Sequence, residues 1–188
     1  MGPRSPERKE GALVDTTRNL SKGLAVLRIA VGAGFLYAGL DKVMHFAGAG
    51  KAFNAVGFLK GGTLGAAPGS AEGAVVNPTH DLWVSLAGNP GLMGVINFLV
   101  VFGEIAIGVA LILGIATRFA GILGGLMMGL FYVATWDFSH GFVTEQFMYG
   151  IIALFVAYAA AGEAYGIDTI LDRTRLVRSQ PRLRYVLG

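Results

Sequence analysis

The sequence predicts an all-α, integral membrane four-helix bundle with a long outer loop between its first two helices. Three observations predict it: 54% of the residues are hydrophobic, only 14% are charged, and the mean hydropathy is +0.60. A soluble domain of this length carries about 25% charged residues. The apolar residues also gather into long blocks instead of recurring at amphipathic spacing.

Four blocks approach the roughly 20 helical residues needed to cross hydrocarbon. They run near 24–44, 93–115, 119–136 and 147–165. The first follows a charged flank that lacks the small-residue cleavage pattern of a removable signal, so the first helix is expected to be retained. The second and third are joined only by Ala116, Thr117 and Arg118, a turn so short that the two must be antiparallel neighbours. The chain thus divides into a basic N-terminal flank (1–22), a transmembrane domain (23–168) with an outer loop at 45–92, and a basic tail (169–188).

Lys and Arg set the orientation, because cytoplasmic flanks are enriched in them. Arg4, Arg8, Lys9, Arg18 and Lys22 precede the first span, Arg118 sits in the hairpin turn, and Arg173, Arg175, Arg178, Arg182 and Arg184 follow the last. The opposite side offers Lys51 and Lys60. Eleven against two places both termini in the cytoplasm, in a multi-pass protein of the cell membrane. The basic tail reads as a topogenic, headgroup-binding flank and not as a nucleic-acid surface.

Within the outer loop, the spacing of Phe53, Val56 and Phe58 in the Lys51–Lys60 segment predicts a short interfacial helix. Gly61 to Gly73 is a Gly/Ala stretch, Thr79 to Gly88 reads as a second short helix with Trp83 at headgroup depth, and Asn89-Pro90 breaks it. The loop is expected to lie over the bundle as a lid. In the hairpin, Gly121, Gly125 and Gly129 form a small-residue stripe expected to pack against Ala153, Ala157 and Ala161 of the last span.

The absence of cysteine excludes thiolate nucleophiles, disulfide relays and every Cys-ligated cofactor. Chemistry must then rest on the few ionisable groups inside spans, which are costly there and face the bundle interior. Arg28, Gly32, Phe35, Gly39 and Lys42 recur at i, i+4, i+7, i+11 and i+14 on one helical face. Arg28 and Glu104 are expected to form a stretched structural ion pair; alternatively Glu104 accepts a hydrogen bond or proton from a quinol headgroup. At the outer ends of the helices, Lys42, His45, Trp136, Asp137, His140 and Glu145, with Asp41 and Tyr149 nearby, converge on a candidate pocket for quinone or another polar headgroup, walled by Phe35, Phe138 and Phe147. An ordinary interfacial belt explains the same residues. Haem between His45 and His140 is disfavoured because membrane haem ligands sit within helices at matched depth, and His140 is expected on a loop. Asp41, His45, Asp137 and His140 show no metal-ligand spacing, so no metal site is assigned.

The first-helix pattern Arg28-x3-Gly32-x2-Phe35-x3-Gly39-x2-Lys42, the second-helix pattern Glu104-x3-Gly108-x5-Gly114-x2-Thr117-Arg118 and Gly166-Ile-Asp168 together resemble the DoxX/DoxD membrane proteins. The long outer connection looks more like the DoxD branch, similar to the small subunit of thiosulfate:quinone oxidoreductase. That resemblance implies a membrane subunit of a quinone-linked oxidoreductase complex, passing electrons from a sulfur substrate to quinone and incomplete as an enzyme alone. Its expected partners are membrane lipid and a protein subunit on the outer side, with self-association as a further option; nucleic acid is not expected. The rival reading is a non-catalytic anchor or assembly subunit whose outer loop docks a partner. A small transporter is disfavoured by the lack of inverted repeats or a Pro-broken span.

Overall fold

The computed structural model describes residues 6–65, 74–137 and 141–174, together with 177, 179, 180, 183 and 185–187. The described residues are predominantly helical: α1 (Pro6–Gly48), α2 (Val56–Gly61), α3 (His80–Ala87), α4 (Pro90–Leu113), α5 (Thr117–Ala134), α6 (Glu145–Tyr158) and α7 (Asp168–Leu171). A two-residue antiparallel pair, β1 (Leu64–Gly65) with β2 (Ala74–Val75), interrupts the outer segment. The segment 66–73, most of the expected Gly/Ala stretch, lies outside the described residues, as do Arg4 and the tail arginines Arg175, Arg178, Arg182 and Arg184.

Among the described residues, three helices are long and apolar enough to cross a membrane: Val14–Gly48 within α1, then α4 and α5. The chain is a membrane-embedded protein. The fourth apolar helix, α6, has 14 residues, or about 21 Å at 1.5 Å per residue, less than a 30 Å hydrocarbon core. It ends before the expected boundary at 165, where Ala160 and Tyr165 take left-handed backbone angles. In contrast, α1 is far longer than a span, because its helix already begins within the charged flank. Its start carries an exposed Arg18–Asp15 pair, 3.2 Å apart.

The breaks are locally encoded. Asn89 caps α4 by accepting from the Gly91 and Leu92 amides at 3.1 Å each, with Pro90 at the first helical position; the pair that ends α3 therefore also starts the next helix. Gly114 closes α4 at φ 68, the left-handed position that glycine tolerates without a Cβ clash. Ala116, also left-handed at φ 49, offers α5 no side-chain cap. Asp168 supplies that cap from across the chain: its carboxylate accepts from the Ala116 and Thr117 amides at 2.7 and 2.9 Å.

The helices α1 and α4 form one intimate pair and α5 and α6 the other. A Cβ added to Gly108 would lie 2.5 Å from the Leu36 amide nitrogen and 2.8 Å from the Gly32 carbonyl oxygen. Such small residues let two backbones meet where lipid gives no hydrophobic drive for helix association. Gly121 likewise lies against the Ala153 carbonyl and Ala157, and Gly125 against Leu154, whereas Gly129 has open space beside it. The expected glycine stripe therefore works over two of its three positions. Val31 and Phe35 (α1), Ile107 and Leu111 (α4), Ala120 (α5), and Ala153 and Val156 (α6) share one buried core.

The outer segment builds a second, smaller core from Ala55, Leu59, Ala87, Met93 and Ala134, with Phe53, Val56 and Trp83 against it. Buried Asn77 holds this layer to the end of α5, donating to the Val133 and Ala134 carbonyls at 2.8 and 3.2 Å while its oxygen accepts from the Thr79 amide and hydroxyl at 2.7 and 2.6 Å. Thr63 and His80 share a 2.6 Å hydrogen bond, and the Ala55 amide donates to Asn97 of α4 at 2.8 Å. The lid expected from loop length is thus a packed layer.

Candidate functional site

Glu104 sits in the middle of α4 with 2% of its side chain exposed, and its partner is Lys42 of α1. The Lys42 ammonium donates to both carboxylate oxygens, at 2.9 and 2.8 Å, and to the Ala38 carbonyl at 3.3 Å. It also stands 5.8 Å from the centre of the Phe53 ring. This corrects the expected Arg28–Glu104 pair. The physical reason is side-chain direction, since every Cα–Cβ bond in a helix tilts toward its N-terminus. The helices α1 and α4 run antiparallel, so Lys42 leans back into the bundle and Glu104 leans up to meet it. Arg28 leans the same way as Lys42, toward the start of α1, but from a position level with Gly114, so it leans away from Glu104.

Arg28 ends at the other end of the bundle, level with Gly114, where its Nη1 donates to the Ala161 and Ala164 carbonyls at 2.8 and 3.2 Å. It is 1% exposed. The Asp168 and Ile167 amides donate to Gly114 and Leu113 at 2.8 and 3.2 Å. The Gly166-Ile-Asp168 sequence is therefore a stitch that ties the chain after α6 to the α4–α5 turn, with Arg28 beneath it. Its work is architectural.

Above the Lys42–Glu104 pair lies a cavity of about 410 Å³ between α1, α4, α5 and α6, under the outer layer. Gly34, Phe35 and Ala38 line it from α1, Val100 from α4, and Met128 and Phe131 from α5. Phe53, Ala55 and Phe58 come from the outer segment, and Glu145, Gln146 and Tyr149 from the first turns of α6. The Phe58 ring meets Phe131 edge-on at 5.6 Å. This volume is within the range of small-molecule sites, and the lining has their usual character: mostly apolar walls with a few polar groups.

Of the residues expected to form a headgroup pocket, Lys42, Glu104 and Glu145 line this cavity, as do Phe35 and Tyr149. His45, Trp136 and Asp137 are absent from the lining. His45 is exposed at the end of α1 with its ring against Phe46, and Trp136 stacks on Tyr132 at the end of α5. His140 and Phe138 lie outside the described residues. Among the described residues, no group of three His, Asp or Glu side chains could hold a metal ion.

The short helix expected in the Lys51–Lys60 segment forms at Val56–Gly61; Phe53 precedes it, and both Phe53 and the partly exposed Phe58 of this helix contribute to the cavity lining. Gly34 and Ala38, one turn apart on α1, give the cavity its width. Their signal was present as two small residues at i, i+4, one step aside from the Arg28–Lys42 pattern. Asn77 and Asn97 carry a similar signal, since an amide in apolar surroundings requires a partner. No protein-family model, curated protein sequence or solved structure matches this chain.

Proposed function

We propose that the chain is a four-span membrane subunit of a quinone-linked oxidoreductase, and that the cavity above Lys42–Glu104 receives the ring of a quinone or quinol. The observation that carries this reading is a charged pair set at the floor of an apolar, aromatic-roofed cavity inside a membrane-embedded helix assembly. Charges are expensive at such depth. A flat ring carrying two oxygens matches both the apolar walls and the polar floor. In this reading α6, extended by the turns at 159–167, completes the fourth crossing, both termini face the cytoplasm, and the outer layer faces the opposite side. The DoxX/DoxD-like patterns on α1 and α4 support the same assignment, with electrons arriving from a sulfur substrate through a second subunit.

A second reading draws on the outer layer itself, which exposes Val75 and Leu82 on a surface held firmly to the helices. There the chain is a membrane anchor that docks a partner protein.

Extraction in mild detergent, with solvent analysis of bound quinone and identification of co-purifying proteins, tests the two. Quinone should co-purify with the native chain and be lost from Ala38→Leu, which fills the cavity, at little change in melting temperature. A quinone-free protein holding a stoichiometric partner would replace the first reading with the second.

A further inference from the structure

Counting hydrogen-bonding capacity in this cavity indicates which redox form of a ring ligand it prefers; the argument rests on the quinone-site reading above. A lysine ammonium has three N–H donors and no acceptor. The acceptors around Lys42 Nζ are the two Glu104 oxygens and the Ala38 carbonyl, so the protein itself engages the Lys42 ammonium. A carboxylate is acceptor-only, with about four lone-pair sites. Lys42 occupies one on each Glu104 oxygen, and the burial of Glu104 keeps bulk water from the others. The pair therefore presents acceptors to the cavity.

The α6 wall adds Glu145, a second carboxylate, beside the Gln146 amide and the Tyr149 hydroxyl. None of these three side chains has a hydrogen-bond partner among the described residues. A quinone carbonyl only accepts, so against this floor it would set lone pairs against lone pairs. A quinol hydroxyl donates directly to Glu104, and its second oxygen finds a donor in Tyr149 or Gln146.

We infer that the cavity selects the reduced, hydroxyl-bearing form of its ring ligand, with Glu104 as the principal acceptor and Glu145 as a second. The site then stabilises the quinol, and the bound couple is easier to reduce than the free one.

The test compares a short-chain benzoquinone with its hydroquinone, each measured anaerobically by equilibrium ultrafiltration against the full-length protein in detergent. The hydroquinone should bind at least about tenfold more tightly, the scale of one hydrogen bond to a charged acceptor. Glu104→Gln, whose amide can donate, should bring the two forms to within a few-fold of each other. If that variant does not fold, Glu145→Gln, at an exposed position, should narrow the ratio in the same direction. Equal binding of both forms, or tighter quinone binding, overturns the selectivity and leaves the quinone site standing. Failure of both forms to bind overturns the quinone site itself. A hydroquinone preference unchanged in every folded variant overturns the role of the carboxylates.

Discussion

Replacing Lys42 with methionine removes the one side chain that, among the described residues, engages the Glu104 carboxylate, and leaves that group 2% exposed with two bonds of 2.9 and 2.8 Å unmade. Breaking a buried pair from one side costs about 3–5 kcal/mol, because the surviving charge is uncompensated. Replacing both partners with apolar residues of similar volume is often close to neutral. Lys42→Met should therefore be much less stable than the double variant Lys42→Met/Glu104→Leu, with a coupling of at least about 2 kcal/mol. At the roughly 2–4 °C per kcal/mol typical of chains this long, the single variant melts about 6–20 °C lower. Thermal unfolding in a fixed detergent, followed by near-UV circular dichroism, reads all four corners of the cycle. Additive losses, with the double variant worse than either single one, would refute the claim that each group is there to compensate the other. The pair would then be two independent interfacial charges.

Three other perturbations follow from the same structure. Gly108→Leu puts a side chain where even a Cβ would sit 2.5 Å from the Leu36 nitrogen, so α1 and α4 must separate; size-exclusion chromatography in detergent should show little or no monodisperse protein, whereas Gly129→Ala, in open space, should behave as native. Asn77→Ala unties the outer layer from the Val133 and Ala134 carbonyls; limited proteolysis between residues 51 and 88 should accelerate by about tenfold or more, the scale of losing one or two buried hydrogen bonds. Because the chain has no cysteine, single replacements at the exposed Ser85 and Ser179 report topology directly. In sealed vesicles a membrane-impermeant maleimide should label the two from opposite faces, and labelling from the same face would refute the even number of crossings.

The sequence by itself determined that this is a membrane protein and where its long apolar helices fall, though not where α1 begins or α6 ends. Long apolar blocks, caps such as Asn89-Pro90, and turn formers such as Gly114 act within a few residues of where they stand. Helix existence is therefore written locally. It also marked Arg28, Lys42 and Glu104 as the groups to explain, because a charge inside an apolar block is conspicuous without any coordinates.

Tertiary structure alone decided their pairing. Which of Arg28 and Lys42 meets Glu104 depends on the register of α1 against α4, fixed by the contact of Gly108 with Gly32 and Leu36, and on the opposite lean of side chains in antiparallel helices. Depth counted along single helices contains neither quantity. The contribution of Phe53 and Phe58 to the cavity lining is equally non-local, since it depends on Asn77 and Asn97 holding the outer segment to the helices beneath it. Lys42, Glu104 and Glu145 were thus legible in the sequence as groups of interest, whereas His45, Trp136 and Asp137, equally conspicuous there, do not line the cavity. The cavity itself was not legible, because it is an emptiness between elements whose separation only their mutual packing sets.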